Sequence, residues 1–281
     1  MSTTSLATHF TASLLLCPLG LRRLLCSSSL YLTNPSLYRS RTWYFSQSNW
    51  KTLDIYSLLI LLPIASLSHI VFFLAISESP IHKFSFLQQS FVISLFWVIL
   101  ILIVAKESFD LCSFLPDNLV FAFAAIAFLI EFYMAGRGLI GFGVWLYRIL
   151  GYFTLLCAGC CLCLSVRPSA FFAEFLLSCG LVLKGSWVLQ VGLSLYTDAF
   201  GLKGCGKIER GEADVKCELD DDVWRGVALV NLVFVGHVIV VIVIGFVSFG
   251  LLHNRKRGEG SGLGVGSESM LMHPLPEIEI E

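Results

Sequence analysis

Charge is scarce in this chain: only 14% of its 281 residues are Asp, Glu, Lys or Arg, where a soluble domain carries about 25%. So little charge cannot solvate a surface of this size, which excludes an ordinary water-soluble domain. The balance of signs is nearly even, with a formal net charge of -1, and this leaves neither the basic footprint of a nucleic-acid binder nor a polyacidic tail. No Gly-rich phosphate loop, internal repeat, second soluble domain or compact metal-ligand spacing is visible. No catalytic set stands out, so the expectation is a protein that is not an enzyme, without a cofactor and without a metal.

Apolar residues are what the chain has in excess. They make up 56% of it, including 23 Phe, and the mean hydropathy is +0.80. A helix that is apolar on every face is buried in lipid or in a very large core, and a span needs about 20 such residues. Six runs qualify: Leu53 to Ile76, Gln88 to Ala105, Leu119 to Met134, Gly141 to Leu164, Phe171 to Leu195 and Val227 to Leu252. Pro63 falls inside the first of them, which neighbouring helices can accommodate. The N-terminal run is weaker, because Phe10 to Leu21 is short and is followed by Arg22 and Arg23. It is either a retained first helix or a cleaved signal peptide. Basic residues are missing before it and present after it, which favours the helix; a helix this short must thin the bilayer or let the arginines snorkel to the interface. The expected fold class is an all-α polytopic membrane helix bundle of about seven transmembrane helices, the first one weak. Its main partner is the lipid bilayer.

Residues 1–252 form this bundle, with a polar loop at 197–225, and residues 253–281 read as a disordered cytoplasmic tail, too polar to build a core. Orientation follows the basic residues. Arg22, Arg23, Arg39, Arg41, Lys51, Lys106, Arg167, Arg255, Lys256 and Arg257 share one side, whereas the opposite short connections hold Lys83, Arg137 and Arg148. The loop at 197–225 adds Lys203, Lys207, Arg210, Lys216 and Arg225 to that opposite side, amid many acidic residues. The C-terminus is then cytoplasmic, in an endomembrane or the plasma membrane.

An ionisable residue inside a span is costly and finds a partner or a cavity. The candidates are Glu131, Glu174, Lys184 and His237, with His69 in the second span and Gln190 as an uncharged companion. Glu174 and Lys184 are separated by about 15 Å of helix rise, so each needs a partner from another helix. Two readings stay open: a polar cluster that relays protons or holds a ligand, and interhelical bonds that fix packing at about 0.6 kcal/mol each. Most cysteines lie in or beside apolar runs, where they act as small hydrophobes, and Cys157, Cys160, Cys161 and Cys163 lack a second ligand pair for a metal. Cys205 and Cys217 flank the acidic stretch of the polar loop and are a candidate disulfide if that loop faces an oxidising compartment. Its closure is worth roughly 3 kcal/mol in the chain-entropy model.

The stretches TWYFSQSNWKTLD, KFSFLQQS, AIAFLIEFYMAGRG, PSAFFAEFLLSCGLVLKGSWVLQVGLSLY and VGHVIVV resemble the plant branch of the transmembrane protein 45 family. The most specific piece is Lys184-Gly185-Ser186-Trp187 with Gln190, Gly192 and His237. The resemblance implies a multi-pass membrane protein and names no reaction. Animal members are richer in intramembrane histidine, where this chain has Gln88-Gln89-Ser90 and Ala135-Gly136-Arg137-Gly138. The functional expectation is a non-enzymatic membrane protein acting by helix-mediated association, with itself or other membrane proteins, in trafficking or stress signalling. The alternative is a small-solute or proton-coupled transporter built on Glu131, Glu174, Lys184 and His237.

Overall fold

The computed structural model describes residues 2–44, 53–75, 80–108, 115–136, 141–197, 205–210, 212–217 and 219–264. Lys51, Cys112, Arg137, Lys203 and residues 265–281 lie outside the described residues. Among the described residues seven α-helices follow one another: α1 (Ser2–Thr33), α2 (Leu53–Ala75), α3 (Pro80–Ser108), α4 (Asp117–Met134), α5 (Gly143–Val166), α6 (Phe171–Tyr196) and α7 (Asp220–Gly264). Six of them carry described stretches long and apolar enough to cross a membrane, beginning with Leu6–Thr33; the apolar stretch of α2, Ile55–Val71, is shorter. The chain is a polytopic membrane helix bundle.

The weak first run is an unbroken helix of 32 residues that contains Pro18. What holds it is α6, the most buried helix of the bundle. The two run antiparallel in close contact. A Cβ added at Gly185 would meet Cys17 Sγ at 2.7 Å and Leu16 Cβ at 2.9 Å, and one added at Gly20 would meet the Ser178 carbonyl at 2.9 Å. Ser178, Gly185 and Gly192 recur every seventh residue along α6, the spacing that keeps small residues facing one partner along a left-handed crossing.

Around this pair the apolar side chains form three clusters. The first joins α1, α5, α6 and α7 around Trp187, Leu146 and Phe153; the second joins α4, α5 and α6 around Phe128, Cys157 and Leu177; the third joins α2, α3 and α4 around Ile55, Ile99 and Val120. The α2–α3 pair is further tied by Ser66, whose hydroxyl lies 2.8 Å from those of Ser90 and Ser94, and by Trp97 Nε1 donating to the Leu59 carbonyl at 3.0 Å. Such bonds suit lipid, where a polar group has no water to fall back on. Helix α4 stops at Met134 because Gly136 takes φ 70°, a left-handed position at a helix end that suits glycine.

Two parts of the sequence reading require correction. The stretch at 197–225 is not simply a loop: it holds an antiparallel hairpin, β1 (Cys205–Arg210) and β2 (Glu212–Cys217), and α7 already starts at Asp220. The tail is not irregular from residue 253, since α7 continues to Gly264. Helix propagation onto an existing helix is cheap, and the Lys and Arg residues there are good helix formers. The extension is also tied down, because Lys256 Nζ donates to the Ser29 carbonyl at 2.6 Å and to the Thr33 hydroxyl of α1.

Candidate functional site

Helix α6 carries both ionisable residues that the sequence places in its span, and each finds a different partner. Glu174 lies in the first turn of α6, where the helix N-terminus favours an anion, and is fully buried. Arg23 of α1 approaches it as a fork: Nε lies 2.6 Å from Oε1 and Nη2 donates to Oε2 at 2.9 Å. Only the Nη2 contact is a hydrogen bond; Nε and Oε1 meet as opposite charges without hydrogen-bond geometry, and a charged partner makes the one bond a strong one. The Ser40 hydroxyl donates to the same Oε2 at 2.5 Å. Arg23 also donates to the carbonyls of Thr42 at 3.0 Å and Arg41 at 3.1 Å, and Arg22 to that of Tyr44 at 2.6 Å. The arginines are therefore taken up by groups of the bundle itself. They pull the 38–44 connection onto it.

That connection reaches two other interhelical junctions at the same end. The Ser40 amide donates to the Pro168 carbonyl between α5 and α6 at 2.7 Å, and the Thr42 hydroxyl to Asp117 Oδ1 at the start of α4 at 3.0 Å. Lys106 at the end of α3 pairs with the same Asp117 oxygen at 2.5 Å. Tyr38 and Tyr44 bring their hydroxyls within 3.5 Å of each other. Burial first, and then the negative charge of Glu174, pushes the Tyr44 phenol up, with Arg23 opposing. The same two causes raise Tyr38. Both tyrosines therefore stay protonated at neutral pH.

Deeper in the bundle Lys184 pairs with Glu131 of α4. The ammonium lies 5.0 Å from the Phe128 ring centroid and 5.7 Å from that of Phe96, so aromatic faces complete its surroundings. The other candidates stand apart from this pair. Gln190 donates to the Ser194 hydroxyl at 3.1 Å. His237 of α7 is bonded to its own helix through the Val233 carbonyl at 2.9 Å and meets Trp187 edge-on at 5.5 Å. Trp187 in turn donates to the Leu146 carbonyl at 3.0 Å. The polar candidates are thus distributed over four separate contacts: Glu174 with Arg23, Lys184 with Glu131, Gln190 with Ser194, and His237 with Trp187.

A gap of about 20 Å³, lined by Phe142, Trp187, Gln190, Ser194, Leu229, Val230 and Val233, opens between α6 and α7. It has room for about one water and no charged residue lines it. Cys157, Cys160 and Cys161 are buried free thiols packed among apolar side chains, while Cys163 is exposed. Among the described residues no group of three or more His, Cys, Asp or Glu is arranged to hold a metal. His69 packs against Phe86 with ring centroids 6.1 Å apart.

Sequence reasoning identifies the costly charges on α6 and names Glu131, but neither pairs Glu131 with Lys184 nor finds the partners of Glu174. Arg23 follows an apolar run, as an interface anchor would, and Ser40 and Asp117 sit in connections whose course the sequence does not disclose. No curated protein matches the chain. Residues 117–250, which run from α4 through most of α7 and make up just under half of the chain, match the model of a family of unknown function (DUF716), and to that family this part of the chain is similar.

Proposed function

We propose that the chain is a multi-pass membrane protein that works by association with other membrane helices, and neither catalyses a reaction nor carries a solute. One observation carries this reading: the charges inside the bundle are taken up in pairs between its own helices, Arg23 with Glu174 and Lys184 with Glu131. A transporter built on Glu131, Glu174, Lys184 and His237 needs them around one cavity, and they are spread over three contacts instead. Of the six candidate spans among the described residues, α7 is the least covered by the rest of the bundle. Its outward side chains, among them Val235, Ile239, Val243 and Phe246, are exposed, and added Cβ atoms at Gly236 and Gly250 would meet nothing within 4 Å. Small residues let a second helix approach closely in lipid.

Within the matched family of unknown function we assign the chain to the plant branch of the transmembrane protein 45 family. The support is the run Lys184-Gly185-Ser186-Trp187 with Gln190, Gly192 and His237, all inside the matched residues. Trafficking or stress signalling is the setting we assign to the association. Dilution-dependent energy transfer between labelled copies, and between the chain and co-extracted membrane proteins, tests the reading. Transfer that falls with lipid dilution and is weakened by Gly236→Leu with Gly250→Leu supports it. Monomers alone, with no partner after cross-linking in native membranes, would overturn it.

A further inference from the structure

The hairpin between α6 and α7 brings two cysteines into register. β1 and β2 pair antiparallel, with Arg210 opposite Glu212 at the closed end and Cys205 opposite Cys217 at the open end. Residues directly opposite on such a ladder have Cα atoms about 4.5 to 5.5 Å apart and share a face, and a disulfide accepts Cα separations of about 4.4 to 6.8 Å. The register is anchored. Val215 of β2 is buried in the core cluster that includes Trp187 and Val227, and a slip by one residue would turn it out of that core. An isolated two-stranded hairpin is marginal in water, so a cross-link at its open end has a role that the two strands alone do not fill.

Position in the bundle supplies the second argument. The hairpin leaves α6 after Tyr196 and enters α7 at Asp220, at the opposite end from Arg23, Lys106, Arg167 and Lys256. Ten of the chain's basic residues fall by sequence at that end against eight at the hairpin's, and the end richer in Lys and Arg faces the cytosol, which puts the hairpin on the side where disulfides form and persist. We infer that Cys205 and Cys217 form an intramolecular disulfide that closes the hairpin on the non-cytosolic face of the membrane. In the reaction the two thiols give up two protons and two electrons to the disulfide of a thiol–disulfide oxidoreductase. The S–S bond forms here, and the donor leaves as a dithiol.

Trypsin cutting after Lys203, Lys207, Lys216 and Arg225 places the cysteines in separate peptides, residues 204–207 and 217–225. The full chain, purified from eukaryotic membranes with free thiols blocked by N-ethylmaleimide, is digested without reduction. One species joining the two peptides, resolved into both by reduction, is the expected result. Both peptides carrying the maleimide, or either joined to a different cysteine, overturns the inference. Sidedness is read separately on Cys205→Ser, in which Cys217 is left as a thiol. A membrane-impermeant maleimide added to sealed, cytosol-side-out vesicles should label Cys217 only after the vesicles are opened, and labelling of the sealed vesicles contradicts the placement.

Discussion

Replacing Arg23 or Glu174 by Leu probes the contact that fastens α1 and the 38–44 connection to α6. Glu174 is fully buried and the Arg23 side chain is 11% exposed, so either single substitution leaves an uncompensated charge in a dry setting. Breaking a buried pair from one side costs about 3 to 5 kcal/mol, whereas replacing both partners with packed apolar groups is often near neutral. The double variant is not expected to be fully neutral here. Arg23→Leu also strands the carbonyls of Thr42 and Arg41, and Glu174→Leu removes the acceptor of the Ser40 hydroxyl. We therefore expect each single variant to lose about 3 to 5 kcal/mol. The double variant should lose about as much as the worse single one, so the coupling equals the smaller single loss, about 3 to 5 kcal/mol, at or above the upper end of the usual range of roughly 0.5 to 3 kcal/mol. Reversible unfolding in mixed micelles, followed by helix content across the four members of the cycle, measures it. Losses that add to within about 0.5 kcal/mol would show that the two side chains do not act together, and the reasoning would be refuted.

Gly185→Ala should destabilise the α1–α6 contact by about 1 to 3 kcal/mol, because the new methyl would meet backbone and sulfur of Cys17 at 2.9 and 2.7 Å. Gly159→Ala, where nothing lies within 4 Å, should be neutral or gain up to about 1 kcal/mol; the same unfolding assay compares them. Ser66→Ala should cost about 0.6 kcal/mol and lower, without abolishing, the cost of a following Ser90→Ala, because the Ser90 hydroxyl still donates to the Ser66 carbonyl at 3.0 Å. The buried Tyr44 phenol is raised above its ordinary value near 10, so its contribution is complete below that pH. As pH rises past it the unfolded chain ionises first and stability falls. Tyr44→Phe should flatten that alkaline decline in a titration of unfolding midpoints.

The spans were legible wherever charge is missing over a long run, because lipid burial forbids it: α4, α5 and α6 lie close to the runs read from residues alone. Glu174 and Lys184 were legible as residues in need of partners for the same reason. Glu131 was legible too, though not its pairing with Lys184; Arg23 was not, since an arginine nearly three turns before a helix end looks the same in sequence whether it reaches water or a buried carboxylate. The hairpin escaped notice because Lys207-Ile208-Glu209 and Ala213-Asp214-Val215 offer too few apolar positions for a period of two to emerge. The extension of α7 past Leu252 was hidden by a different cause: hydropathy reports burial in lipid, and a helix can continue into water without changing its backbone.

Flux through reconstituted vesicles separates association from transport most directly. The protein is inserted into sealed liposomes, and proton movement and uptake of a broad panel of small solutes are followed for wild type, Glu131→Gln and Glu174→Gln. With the intramembrane charges held in separate pairs, wild type and both variants should give the same trace as protein-free vesicles. A wild-type flux well above that background, abolished by Glu131→Gln or Glu174→Gln in protein that remains folded, would contradict the account.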